Sequence, residues 1–417
     1  MNQEDNRVTY LGKANARNRN TPFGIKRSDR RSHIYVIGRT GTGKSTLLLN
    51  MIRQDIANGE GGAVFDPHGD LFTGVLRESA SREDIVSLDL TRSDLDIGFN
   101  PLEGIAEEKR PLAAANLVEI FKKIWSDSWG PRLEHVLRNA IMALLEVPGA
   151  TLADILRLIG DKTYRATVSR SLKNGQVRSF WTGEYERYPP AMRSQVTAPV
   201  ENKVGAFLAD PRILRFLSPR GKRLELAKLM DSGGLLLVNL SKGELGEGPA
   251  SILGSLLVSS IGLAGLARAK LPAEERRDFQ VYLDEFHAYA TLSLAGMLSE
   301  LRKYRVNLVL AHQYLSQVEA EIRDAVLGNV GTLIVFRVGP QDAPLLSREF
   351  SPELTADDLL RLPNRHIYLK LMIDGAVSRG FSGETPVSES NRSPGKTLAN
   401  TFERDFDSRN RSRLFAW

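Results

Sequence analysis

Residues Gly38 to Ser45 read Gly-Arg-Thr-Gly-Thr-Gly-Lys-Ser and follow the apolar run Ile34-Tyr35-Val36-Ile37. A buried strand that enters a glycine-rich turn, which in turn opens a helix, is the arrangement that cradles the phosphates of a nucleoside triphosphate. Gly41 and Gly43 let the backbone bend, so that successive N–H groups across Gly38, Thr40, Gly41, Thr42, Gly43, Lys44, Ser45 and Thr46 face inward at phosphate oxygens. The helix that begins at Lys44 adds a field favourable to anions. Lys44 can reach the β- and γ-phosphates, and the Ser45 hydroxyl can bind Mg²⁺. The expectation is a site for ATP or GTP with Mg²⁺.

A second constellation is Phe279-Gln280-Val281-Tyr282-Leu283-Asp284-Glu285, an apolar strand that delivers two adjacent carboxylates. Asp284 would hold Mg²⁺ through its water shell, and Glu285 would orient and deprotonate the attacking water. Neighbouring side chains at a strand end point in different directions, so the two roles can be separate. The next apolar run, Val306 to Ala311, ends at His312-Gln313. A neutral amide at Gln313 can bond both the γ-phosphate and the lytic water. Arg302 and Arg305 precede that run. Arg302 is the candidate for a cation supplied to a neighbouring subunit's site, where it would stabilise transition-state charge.

These residues need a scaffold that brings strand ends together. Further short apolar runs occur at Gly62–Phe65, ending in Asp66-Pro67-His68-Gly69-Asp70, and at Ile85–Leu88, Leu235–Leu240, Thr332–Phe336 and Ile367–Leu371. Continuous apolar strands that alternate with helices indicate an α/β fold with a mainly parallel sheet covered on both faces. In such sheets ligands sit at the carboxyl ends of the strands. From Pro101 to Leu229 the apolar spacing becomes helical, as in Leu112–Trp125, Leu133–Leu145 and Ala191–Leu208. The expected organisation is a basic N-terminal arm over 1–31 and a core over 32–100 and 230–386. An all-α insertion spans 101–229, and a polar tail spans 387–417.

Composition narrows the function classes. The chain has 417 residues, 42% of them apolar and 25% charged, as in a soluble globular protein. It has no cysteine, which excludes disulfides, thiolate metal sites and cysteine nucleophiles. None of its six histidines belongs to an H-E-x-x-H zinc motif. The net charge of +6 is compatible with an anionic partner. There is no signal-like N-terminal segment. The uncharged stretch Gly248–Ala267 is interrupted throughout by small residues and reads as a helix buried against the sheet rather than a membrane span.

The joint set of Gly38–Ser45, Asp66-Pro67-His68-Gly69-Asp70-Leu71, Asp284-Glu285 and Ala311-His312-Gln313 resembles the HerA–FtsK division of P-loop ATPases. It is most similar there to the DNA-binding ATPase domain of type IV secretion coupling proteins. Thr21-Pro22-Phe23-Gly24-Ile25, the helix Arg132–Leu145, Gly328-Asn329-Val330-Gly331-Thr332 and Phe336-Arg337-Val338-Gly339 fit the same group, so the resemblance covers most of residues 20 to 385. It implies a RecA-like P-loop core with an all-α insertion, a homohexameric ring and ATP-driven movement of DNA through a central channel. It also implies ATP rather than GTP as the nucleotide, and a finger role for Arg302 from its spacing ahead of the glutamine strand. Coupling proteins of this kind carry N-terminal transmembrane helices, and this sequence shows none. The expectation is therefore a cytoplasmic chain that docks peripherally at the inner membrane on a membrane or relaxosome-type protein partner. The basic arm and the insertion would serve as docking surfaces for partner or DNA. The alternatives are a HerA-like DNA translocase or helicase in DNA processing or defence, and an ATPase with protein cargo. The Ser241-Lys242-Gly243 turn is a candidate pore contact.

Overall fold

The computed structural model describes residues 3–15, 21–126 and 129–386. The polar tail 387–417 lies outside them, as do Arg17 and Arg19 of the N-terminal segment. In chain order the strands are β1 (Val8–Ala14), β2 (Thr21–Lys26), β3 (Ile34–Ile37), β4 (Gly61–Asp66), β5 (Ile85–Asp89), β6 (Ile97–Gly98), β7 (Lys222–Arg223), β8 (Leu235–Asn239), β9 (Phe279–Leu283), β10 (Val306–His312), β11 (Thr332–Val335), β12 (His366–Lys370), β13 (Met372–Ile373), β14 (Ala376–Val377) and β15 (Phe381–Glu384). The main sheet runs β2-β1-β15-β12-β11-β3-β10-β9-β4-β8-β5. Every pairing from β11 to β5 is parallel, and β12, β15, β1 and β2 extend the sheet by antiparallel pairings.

The parallel strands are largely apolar because both of their faces are covered, and Gln280 of β9 and Asn307 of β10 are buried among them. Alternate residues point to opposite sides. Ile34, Val36, Val64, Leu237 and Ile334 pack with the helices Lys44–Ala57 and Asp70–Glu78 and with Leu11, Phe23 and Ile25 of β1 and β2. Tyr35, Ile37, Phe65, Leu236, Val281 and Leu310 join the opposite cluster, which includes the helices Arg110–Ile124, Pro131–Leu144, Glu247–Ala267 and Leu292–Leu301. The uncharged helix Glu247–Ala267 is long and apolar enough to cross a membrane, and most of it is buried in this core. Its small residues are points of close approach. A Cβ on Gly254 would lie 2.3 Å from the Tyr289 ring.

Between β6 and β7 the described chain is helical, from Arg110–Ile124 to Pro211–Leu217. Its entry and exit are joined by the two-residue β6–β7 ladder, Ile97 with Lys222 and Gly98 with Arg223.

Over its described residues the basic N-terminal arm is built into the sheet. Val8–Ala14 and Thr21–Lys26 form an antiparallel ribbon that joins the sheet through β15. The cations that follow are taken up by carboxylates of the core. Arg30 forms a two-point pair with Asp55 (2.5 and 2.9 Å) and donates to the Tyr282 hydroxyl at 2.7 Å. Arg31 forms a two-point pair with Asp278 at 2.8 Å, and Arg27 reaches Glu60 at 2.8 Å and Asp278 at 3.2 Å. A docking role for the arm therefore does not extend to these three arginines. Buried carboxylates without a cation would cost several kcal/mol each, on the order of the penalty for an unpaired charge. The sequence hides this arrangement because the partners lie 25 to about 250 residues away.

His33 sits at the start of β3 with φ 61° and is buried. Its Nε2 lies 2.7 Å from the Leu298 carbonyl, and its Nδ1 accepts from the Leu308 N–H at 3.1 Å, which places the proton on Nε2. Burial holds the imidazole down at about 4, against the pull of the Leu298 carbonyl and with help from Arg302. The folded state thus keeps His33 neutral where the unfolded chain, near 6.5, takes up a proton. Its contribution to stability is complete above pH 6.5 and is lost progressively as pH falls toward 4. This site alone should make the fold about 2 kcal/mol less stable at pH 5 than at pH 7. Urea midpoints of wild type and His33→Asn across that range check it. The substitution should flatten the slope, and parallel slopes would rule it out.

Candidate nucleotide site

The sheet order explains why the site lies where it does. β3 is followed in sequence by β4, yet in the sheet β10 and β9 lie between them. The parallel strands β3, β10, β9 and β4 therefore present their carboxyl ends side by side, at the point where successive crossovers diverge. Onto that edge β3 delivers Gly38–Ser45, β10 delivers His312-Gln313, β9 delivers Asp284-Glu285 and β4 delivers Asp66.

The phosphate loop bends at Gly41 (φ 76°) and Gly43 (φ 120°), conformations that disfavour any side chain. It is braced from the β11 side. Arg39 N–H donates to the Arg337 carbonyl at 2.9 Å, and Arg365 N–H donates to the Thr42 carbonyl at 2.8 Å. A Cβ on Gly38 would lie 2.5 Å from Phe336 Cβ. This gives the Phe336–Gly339 segment a physical purpose: it forms the wall against which the loop is shaped.

Lys44 is buried, and its Nζ donates to the Gly38 carbonyl at 2.6 Å and the Arg39 carbonyl at 3.3 Å. Burial lowers its ammonium, while Glu285 and Asp284 oppose that. A phosphate offers the same cation a better partner than two carbonyls. The Ser45 hydroxyl donates to Asp284 Oδ2 across 3.4 Å. Asp284 is buried, and burial together with the charges of Glu285 and Asp66 pushes its carboxyl up to about 6, with Lys44 acting the other way. Three converging carboxylates with one lysine are short of positive charge. A hydroxyl and a carboxylate at this spacing fit Mg²⁺, a cation that keeps most of its waters and takes remaining ligands from substrate phosphates. Among the described residues there is no cluster of side chains that would hold a metal by itself.

Glu285 occupies a left-handed conformation (φ 50°, ψ 49°), costly for a residue with a side chain and tolerated where the surroundings enforce it. Its Oε1 accepts from Gln313 Nε2 at 2.8 Å, and Gln313 Oε1 accepts from the Thr40 hydroxyl at 2.8 Å. Its Oε2 lies 3.3 Å from His287 Nδ1, and His68 Nε2 stands 4.0 Å from Oε1. Burial alone would raise this carboxyl. His287, Gln313 and Lys44 bring it down to about 2. Asp66 is engaged elsewhere: it accepts from the His68 and Phe72 N–H groups at 2.8 Å each, capping the helix Asp70–Glu78.

The edge thus brings together Gly38, Thr40, Gly41, Thr42, Gly43, Lys44, Ser45, Thr46, Asp284, Glu285 and Gln313. It does not bring Arg302 to them. Arg302 is exposed in the short turn Arg302–Tyr304, before the opposite end of β10 and roughly 20 Å away along the strand. Lys242 opens a short helix and pairs with Glu247 at 3.7 Å. Sequence reasoning overlooked His287 beside Glu285 and read His68 only as part of the motif in the turn after β4. The signal for His287 was its place in a turn next to a carboxylate already singled out.

The sequence profile of one family, described as the type IV secretion-system coupling protein DNA-binding domain, matches residues 21–350. No curated protein matches the chain in sequence. Among solved structures, the bacterial conjugative coupling protein TrwBdeltaN70 in its unbound monoclinic form is similar, with a TM-score of 0.66 at 15% identity, covering 94% of this chain and 92% of that one. Plasmid coupling protein TrwB in complex with ADP and Mg²⁺ gives 0.64 at 18% identity with the same coverage. VirB4 of Thermoanaerobacter pseudethanolicus gives 0.61 at 13% identity, covering 93% of this chain and 98% of that one. At these identities the structural likeness speaks to the fold alone, an α/β architecture with a large, mostly parallel mixed sheet and helices on both faces.

Proposed function

The chain belongs to the type IV secretion-system coupling protein DNA-binding domain family, and from that premise we propose that it is an ATP-hydrolysing motor that moves DNA through a homohexameric ring, in type IV secretion or conjugative transfer. The observation that carries the reading is the convergence at one sheet edge of Lys44, the Ser45–Asp284 pair and the Gln313–Glu285 pair.

In this reading the amides of the phosphate loop and Lys44 hold the β- and γ-phosphates. Ser45 and Asp284 hold Mg²⁺, which supplies charge neutralisation at the phosphates when bound. Glu285 orients the attacking water and accepts its proton, and Gln313 bonds the γ-phosphate. Arg302 serves the site of the adjacent subunit. The chain works at the inner face of the membrane, recruited by a membrane or relaxosome-type protein. Pore contacts are to phosphates rather than bases, so DNA affinity follows salt and not sequence.

The test is ATP turnover of the purified chain with and without DNA, across protein concentration and at two salt concentrations, with Lys44→Ala as the blank. Turnover should rise with DNA and with protein concentration. DNA affinity should fall about 10³- to 10⁵-fold between 50 and 200 mM salt if six to ten phosphates are contacted. Robust turnover indifferent to DNA would replace the DNA motor with a protein-cargo ATPase.

A further inference from the structure

The turn that follows Glu285 is gripped from behind by the helix Arg110–Ile124, the first long helix of the insertion. Asn116, Glu119 and Lys123 are spaced i, i+3, i+7 and so share one stripe of that helix. Lys123 Nζ donates to three carbonyls: His287 at 2.7 Å, Ala288 at 3.1 Å and Ala290 at 2.8 Å. Both oxygens of Glu119 accept from the Ser293 N–H at 3.1 Å, and one also accepts from the Ser293 hydroxyl. Asn116 Nδ2 donates to Ser259 Oγ at 3.1 Å, on the helix Glu247–Ala267. A single helix of the insertion is thereby fastened to the end of the short turn Phe286–Ala288 and to the start of the helix Leu292–Leu301 that leads to Arg302.

The chemistry of the grip is specific. Carbonyls at the end of a helical turn have no partner within it, and an ammonium is the strongest donor they can be given. Glu285 is the first residue of the same turn, and its carbonyl accepts from the Ala288 N–H at 2.9 Å. Its left-handed backbone persists only because its surroundings impose it. The turn is also met by Ser251, whose hydroxyl donates to the Ala288 carbonyl, and by Gly254, which admits the Tyr289 ring.

We propose that Lys123 is a positioning residue for Glu285, acting through the 286–290 turn, and that the helix Arg110–Ile124 is the element through which the insertion sets the hydrolysis rate. The inference rests on Glu285 being the group that orients the lytic water. A displacement of about 1 Å at such a group lowers turnover by up to ~100-fold, so a load on the insertion that shifts this helix is felt at the chemical step.

The experiment compares the full chain as wild type, Lys123→Met, Lys123→Arg and Glu119→Ala. The readouts are steady-state turnover, affinity for a non-hydrolysable ATP analogue, and amide hydrogen exchange over 286–293. Lys123→Met should lower kcat by ~10- to 100-fold and leave analogue affinity within about twofold. It should accelerate exchange in 286–293 alone, and Lys123→Arg should recover most of both. Unchanged kcat and exchange overturn the proposal, as does faster exchange across the whole chain with loss of analogue binding. If the wild type does not hydrolyse ATP, the proposed function fails, and the exchange comparison still decides whether Lys123 anchors the turn. If Lys123→Met does not fold, Glu119→Ala removes the second anchor only. It should move turnover and exchange in the same direction by less, and no movement in either overturns the inference.

Discussion

Replacing Arg302 with alanine is expected to lower ATP turnover by ~10³- to 10⁵-fold, the range seen when a cation that meets transition-state phosphate charge is removed. Analogue affinity should stay within a few-fold, because the residue is not near its own nucleotide loop. Arg302 lies before β10, whereas Gln313 lies just after it, and the strand is too stiff to fold one onto the other. Any contact between this guanidinium and a nucleotide therefore has to be made across a subunit boundary. That geometry supplies a second readout. Mixing Arg302→Ala chains with Glu285→Gln chains creates some interfaces in which an intact Glu285 faces an intact Arg302. Activity should reappear in the mixture although neither parent has it. Wild-type turnover in Arg302→Ala, or mixtures as inert as their parents despite assembly, would remove the residue from the mechanism.

The parts of this molecule that a sequence displays are those set by local order. Ile34–Ile37 followed by Gly38–Ser45 states its own purpose, since strand, turn and helix are contiguous. The largely apolar runs of β4, β8, β9 and β10 announce a covered parallel sheet, and the charge-free Gly248–Ala267 announces a core helix. Other features depend on distant partners and stay hidden. Val8–Ala14 alternates too weakly among charges to be read as a strand, and its role as a sheet edge is fixed by β15, some 370 residues later. The arginines at 27, 30 and 31 read as a basic arm because Asp55, Glu60 and Asp278 are nowhere near them in sequence. Lys123 is an ordinary cation near a helix end until the fold sets three carbonyls against it. Gln313 was placed at the strand end by its spacing. Its bonds to Thr40 and Glu285, which join loop and carboxylate, come from the lateral order of β3, β10 and β9.

Those bonds shape the second large effect, that of Glu285→Gln. The side chain keeps its size, and its amide oxygen can still accept from Gln313 Nε2, so the turn and the phosphate loop should be undisturbed and the analogue should bind as in wild type. Turnover should nevertheless fall by ~10²- to 10⁴-fold, the contribution of a positioned general base. The wild-type carboxylate is itself held back in the geometry described here. Burial would raise it, but with Gln313 on one oxygen and His287 beside the other, and Lys44 adding to the pull, its carboxyl is held down at about 2, which makes it a weak acceptor for a proton from water. If Glu285 is the base, that grip has to loosen for it to take the proton, and a γ-phosphate would compete for the amide of Gln313. Lys44, drawn to the phosphates, would leave as well. On the proposed reading both departures would raise the basicity of Glu285 only when a triphosphate is in place. The check is a rapid-quench measurement of a single turnover alongside steady-state rates. The chemical step itself should slow in Glu285→Gln. A normal single-turnover rate with slow steady-state cycling would instead assign Glu285 to product release, and the carboxylate would lose its place as the base.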